Sequence, residues 1–164
     1  MKPLFMLGVI GLTSILMGCS AKSIDNMLMA TSGNARTFDG QRYNLLQANL
    51  GGNPTTYVYG NDKEALVIQR HALNTQLTFE QFVNARLQEE RINRQNDCQI
   101  QSKSHSKGAY YFCQYTNIPA NVIYTFSQDG NYGYLKIFTD KAGTKDIAHK
   151  AGKLIEYDVS YLSK

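Results

Sequence analysis

Three cysteines, three histidines and a scatter of carboxylates are the residues with which this 164-residue chain could do chemistry. His71, His105 and His149 stand far apart, with no H-E-x-x-H or H-x-E motif and no C-x-x-C pair to complete a metal set. Serine chemistry has neither a G-x-S-x-G elbow nor an S-x-x-K supported by K-T-G. Glu80, Glu89 and Glu90 lie on a stretch of helical period, where they read as solvent-facing charge. Asp129, Asn131 and Asp140 follow a calcium loop only in part: Tyr134 holds the sixth position, which that loop gives to glycine. The Asp129-Gly130 pair is explained more simply as a hairpin turn. These residues predict no catalytic set, no metal and no cofactor.

What remains is recognition chemistry. Tyr110, Tyr111, Tyr115, Tyr124, Tyr132 and Tyr134 offer aromatic area with a hydroxyl attached, a combination that serves sheets and interfaces equally. Tyr132 and Tyr134 beside Lys136 are the candidate binding patch, expected on the wetter face of a hairpin. Lys136, Lys141, Lys145, Lys150 and Lys153, offset by Asp140 and Asp146, make the stretch 136–153 basic. Solvation or contact with an anionic partner would both use it.

Composition sets the background. Hydrophobic residues make up 43% and charged residues only 18%, while 13 Asn, 11 Gln and 11 Tyr supply much of the polarity. The formal charge of +4 is too mild, and too spread out, to imply nucleic acid. A length of 164 residues allows one ordinary domain.

The N-terminus reads Met1-Lys2-Pro3, then an apolar run ending at Gly18, then Cys19. One cation followed by such a run is the pattern of a secretory signal, and the run is shorter than the roughly 20 apolar residues of a spanning helix. Leu16-Met17-Gly18-Cys19 resembles the bacterial lipobox. That resemblance implies cleavage before Cys19, a diacylglyceryl group on its thiol and acylation of the freed amine. Two or three acyl chains hold a protein stably at a bilayer. Ser20 stands where family members retained in the inner membrane commonly carry Asp, which points to an outer-membrane anchor facing the periplasm. The expected organisation is signal peptide 1–18, acylated N-terminus and tether 19–36, and folded domain 37–164.

With Cys19 committed to lipid, Cys98 and Cys113 remain, and an oxidising compartment favours a disulfide between them. Closing a 15-residue loop would stabilise the fold by about 3 kcal/mol.

Several elements must position these residues. Thr78 as N-cap, Gln81 at N3 and a Leu77–Phe82 staple predict a helix to about Asn93. Its buried stripe is Phe79, Phe82, Val83 and Leu87; Glu90 and Arg94 are spaced to pair. Strands are expected at 43–46, 57–59 and 65–68. Cys98–Ser102 and Ala109–Thr116 should flank a six-residue loop with Ser102 opposite Ala109. Val122–Ser127 and Tyr132–Thr139 should flank a turn at Asp129-Gly130, which sets Tyr124 opposite Leu135 and Val122 opposite Ile137. A short helix is expected near Ile147, then a last strand through Ile155, Tyr157, Val159 and Tyr161. The fold class is α+β: an antiparallel sheet packed with one main amphipathic helix in a small single domain, with a β-sandwich plus appended helix as the alternative.

The expected function is a non-enzymatic envelope lipoprotein that binds a protein or another envelope component. An immunity protein or inhibitor acting against an envelope toxin or peptidoglycan-active enzyme is the alternative, and a peptidoglycan-active enzyme the next. The partners implied are a membrane, through the N-terminal lipid, and a protein or envelope component, with no nucleic acid.

Overall fold

Alternating apolar residues dominate the chain from Phe38 onward, and the computed structural model, which describes residues 27–29 and 35–162, turns them into nine antiparallel strands. They are β1 (Met27–Met29), β2 (Ala35–Phe38), β3 (Gln41–Asn49), β4 (Thr55–Gly60), β5 (Glu64–Ala72), β6 (Gln101–His105), β7 (Gly108–Gln114), β8 (Asn121–Asp129) and β9 (Tyr132–Asp140). Helix α1 (Phe79–Asn93) follows β5, helix α2 (Ile147–Glu156) follows β9, and a 3-10 turn (Ser160–Leu162) closes the described chain. The fold is the expected α+β class.

All strands join one sheet in the order β1-β3-β4-β5-β9-β8-β7-β6, and β2 shares the outer edge of β3 with β1. Two meanders, β2–β5 and β6–β9, therefore meet where β5 pairs β9 from Glu64↔Asp140 to Ala72↔Tyr132. The sheet begins inside the 19–36 stretch read as tether. The overlooked signal was Asp39-Gly40: both have positive φ, 48° and 75°, and they join β2 to β3 as a two-residue hairpin turn. The signal peptide 1–18 and Cys19 lie outside the described residues.

Helix α1 starts as its sequence dictates. The Thr78 side chain accepts from the Gln81 N–H at 3.3 Å, and the Gln81 side chain accepts from the Thr78 N–H at 2.9 Å. Phe82 and Leu87 are buried beneath it, with Phe79 and Val83 partly covered. Gly133 lets Phe82 reach the sheet, since a Cβ there would lie 2.8 Å from the Phe82 ring.

Two of the three hairpins of the second meander, β6–β7 and β8–β9, are offset from their expected registers. Asp129 pairs Tyr132, so the turn residues are Gly130 and Asn131; Phe126 faces Leu135 and Tyr124 faces Ile137. Gly130 takes the first central position with φ 54°, where a type II′ turn requires glycine. A two-residue slip preserves the side-chain faces, so Val122, Tyr124, Phe126, Leu135 and Ile137 still share one core. Likewise Ser104 faces Ala109 and His105 faces Gly108, which leaves only Ser106 and Lys107 as the turn. Residues 101–104 are polar because β6 is an exposed edge strand, not because they form a loop.

The tail departs most from expectation. Ile155 to Tyr161 does not form a strand: α2 runs to Glu156 and the chain then crosses the sheet to the 3-10 turn. Ile147, Ala151 and Leu154, at i, i+4 and i+7, supply its apolar stripe. Its N-cap is Asp146, whose side chain accepts from the His149 N–H at 3.0 Å. Thus the second sheet face is covered, not wet. It carries Phe38, Tyr43, Tyr59, Leu66, Ile68, Ile123, Tyr134 and Phe138 in a core closed by α2, Val159 and Leu162.

Candidate functional site

Cys98 and Cys113 form the expected disulfide, with their Cα atoms 5.7 Å apart. Cys98 precedes β6 instead of lying within it, and the bond ties the exit of α1 to β7. Beside it Arg94, 4% exposed, donates from Nε to Glu90 at 3.1 Å and from Nη1 to the Tyr115 hydroxyl. Burial alone would lower the pKa of this guanidinium, but Tyr124 and Glu90 beside it raise it above its ordinary value, so Arg94 stays charged within its own set of partners. An open groove of about 530 Å³ next to it is lined by Arg91, Gln95, Asn96, Asp97, Gln99 and Thr116. Cys98 and Ile100 complete its walls, which carry no aromatic platform.

The Tyr132, Tyr134 and Lys136 patch is corrected by the geometry. These alternate residues of β9 do share a face, but α2 and the tail cover that face, leaving Tyr134 0% and Lys136 1% exposed. Lys136 Nζ instead donates to the carbonyls of Ile155 at 2.8 Å and Tyr157 at 3.2 Å. It thereby satisfies orphan acceptors at the C-terminus of α2, where a cation also suits the helix dipole. Burial pushes its pKa down to about 8. Tyr132 remains half-buried, with the Arg70 guanidinium 4.9 Å from its ring centre.

The basic stretch 136–153 dissolves in the same way. Lys136 is internal, while Lys150 pairs with Asp39 at 2.8 Å; Lys141, Lys145 and Lys153 stay exposed.

Lys150 belongs to the densest set of titratable groups described. Its Nζ lies 3.8 Å from Glu64, which accepts from the Tyr43 hydroxyl at 2.5 Å, and His149 contacts Asp39 at 3.1 Å. Burial opposes ionisation of Asp39, but hydrogen bonds from Lys150 and His149 hold its pKa below the usual carboxylate range. Burial, then the Glu64 hydrogen bond, raises that of Tyr43. Each group serves another, so the set clamps the β2–β3 hairpin to α2. The remaining histidines lie elsewhere: His71 packs 4.8 Å from the Phe82 ring, and His105 packs on Gly152. Among the described residues no three His, Cys, Asp or Glu side chains gather as a metal site.

What the spacing could not reveal is a stripe assembled from five segments. Arg36 on β2 lies 4.2 Å over the Tyr161 ring of the tail. On β4, Tyr57 stacks on Tyr59 with centroids 6.5 Å apart and planes 12° from parallel. Arg70 on β5 donates from Nη1 to the Leu162 carbonyl while stacking on Tyr132 of β9. Burial raises the pKa of Tyr57 and Tyr161, so these phenols remain neutral hydrogen-bonding groups. No local motif connects residues 36, 57, 70, 132 and 161; only the sheet order does.

No family model matches the chain, and no curated protein or solved structure does either.

Proposed function

We propose that this protein is an exported, lipid-anchored envelope domain that acts by binding a protein or another envelope component, and that it is not an enzyme. The observation that carries the reading is the Leu16-Met17-Gly18-Cys19 lipobox ahead of a domain with a Cys98–Cys113 disulfide. Such bonds persist in oxidising compartments, where the lipobox would deliver the chain. The dense polar sets support binding over catalysis because their groups are engaged with one another: Asp39 with Lys150 and His149, Glu64 with Tyr43, Arg94 with Glu90.

Metabolic labelling with a palmitate analogue tests the address. The wild-type chain should incorporate label and fractionate with outer membranes, and Cys19→Ser should abolish both. Continued labelling of the Ser variant would overturn the anchor. Purification from native membranes with the lipid intact tests the role: a saturable protein or envelope ligand supports binding, whereas hydrolysis of isolated peptidoglycan would replace it with an enzyme.

A further inference from the structure

Arg86, Arg94, Lys107 and Lys150 each have a carboxylate within ion-pair distance. Arg36 and Arg70 have none among the described residues, and each lies against a tyrosine ring instead. Arg36 also hydrogen-bonds Tyr59 and Tyr161, and Arg70 the Leu162 carbonyl; with five N–H donors on each guanidinium, both keep donors suited to a carboxylate. Arg36 is exposed; Arg70, Tyr57, Tyr132 and Tyr161 are half-buried. In the tail, Asp158 accepts the Ser160 N–H at 2.8 Å.

We infer that this Arg36–Tyr57–Tyr161–Arg70–Tyr132 stripe docks an acidic, extended segment of a partner protein. The inference rests on the binding reading above and names the partner's chemistry. Tyrosine and arginine are the side chains that most often carry protein–protein interface energy. They are held here by stacking, so less freedom is lost on docking than with flexible surface lysines. A membrane surface would be met more readily by the exposed Lys141, Lys145 and Lys153, which are not in the stripe. Arg36 and Arg70 stand apart both across the strands and along them, but their guanidiniums converge on the adjacent tail residues Tyr161 and Leu162, so one short acidic segment can meet both.

The test uses full-length lipidated protein in detergent micelles and a short fluorescein-labelled peptide carrying several Glu residues in a Ser/Gly/Tyr background. Anisotropy should show saturable binding, at least tenfold weaker for the peptide with Gln in place of Glu. Arg36→Gln/Arg70→Gln should weaken the Glu peptide at least tenfold, whereas Lys141→Gln/Lys145→Gln, with the same loss of charge, should change it less than twofold. Thermal melts check folding. Because Arg70 also holds Leu162, Arg36→Gln alone is the second variant, expected to fold normally and to bind at least threefold more weakly. Failure of the Glu peptide to saturate, equal losses in the two double variants, or binding only to phosphatidylglycerol vesicles overturns the inference. A wild-type chain that incorporates no palmitate label would defeat the envelope reading and leave peptide binding standing, so the two fail separately.

Discussion

Leu135 and Tyr134 are adjacent on β9 and point to opposite faces, yet both are essentially sealed from solvent, at 1% and 0% exposure. Leu135→Ala should therefore cost about 2 to 5 kcal/mol, and Tyr134→Ala about 3 to 5 kcal/mol. Urea denaturation of both variants checks this, and a Tyr134→Ala protein as stable as wild type would contradict the covered face. His71 carries a pH signature. Burial, reinforced by Arg86, pushes its pKa down to about 4 from an ordinary 6.5. Between those values the unfolded chain binds a proton that the folded chain refuses, so stability is complete above pH 6.5 and is lost as the pH falls towards 4. The loss is on the order of 3 kcal/mol. His71→Phe should flatten that limb of the stability–pH curve relative to wild type. Alternation correctly placed Lys136 on the face of Tyr132 and Tyr134, but nothing local announces that a segment twenty residues later will cover it.

The elements most legible in sequence are those specified by their own neighbours. Helix α1 is one: cap, box, staple and stripe all lie within residues 77–87, and Thr78→Ala should lower stability by about 1 kcal/mol in thermal melts. The Cys98–Cys113 link is another, separated by 15 residues. Replacing both cysteines with alanine should cost about 3 kcal/mol in denaturant titration; an unchanged midpoint would mean that the bond constrains little in the unfolded chain. The elements misread are those whose environment comes from elsewhere. Polar β6 is a strand because β7 supplies its hydrogen bonds, and the stretch 155–161 alternates like a strand but finds no edge to join. Turn chemistry was readable to within two residues in the β6–β7 and β8–β9 hairpins, which conserves face but not partner. Lys136 gives this scale its own test. Lys136→Met removes the donors to Ile155 and Tyr157, so amide exchange at Leu162 should accelerate if that lysine secures the tail.

At the scale of the whole molecule, two meanders join at β5 and β9, with α1 and the α2–tail segment closing opposite faces. This joining could not be read from the sequence because it pairs strands about seventy residues apart. The same long-range assembly creates the arginine–tyrosine stripe, which explains why the site is invisible to motif reading while α1 is plain.

The pairing of β1 with β3 acts as a leash stop. Were the chain free until β2, sixteen peptide steps would separate Cys19 from Ala35, a span of up to about 58 Å. With Met27 held against Asn49, only eight steps remain, and no conformation can exceed about 29 Å. On the proposed anchor, the β3 edge is thus the low side of the molecule, and β6, six strand spacings from β3, stands roughly 29 Å across the sheet from it. The domain would keep a short vertical range over the bilayer, meeting partners brought to the membrane and out of reach of those that stay deep in the compartment.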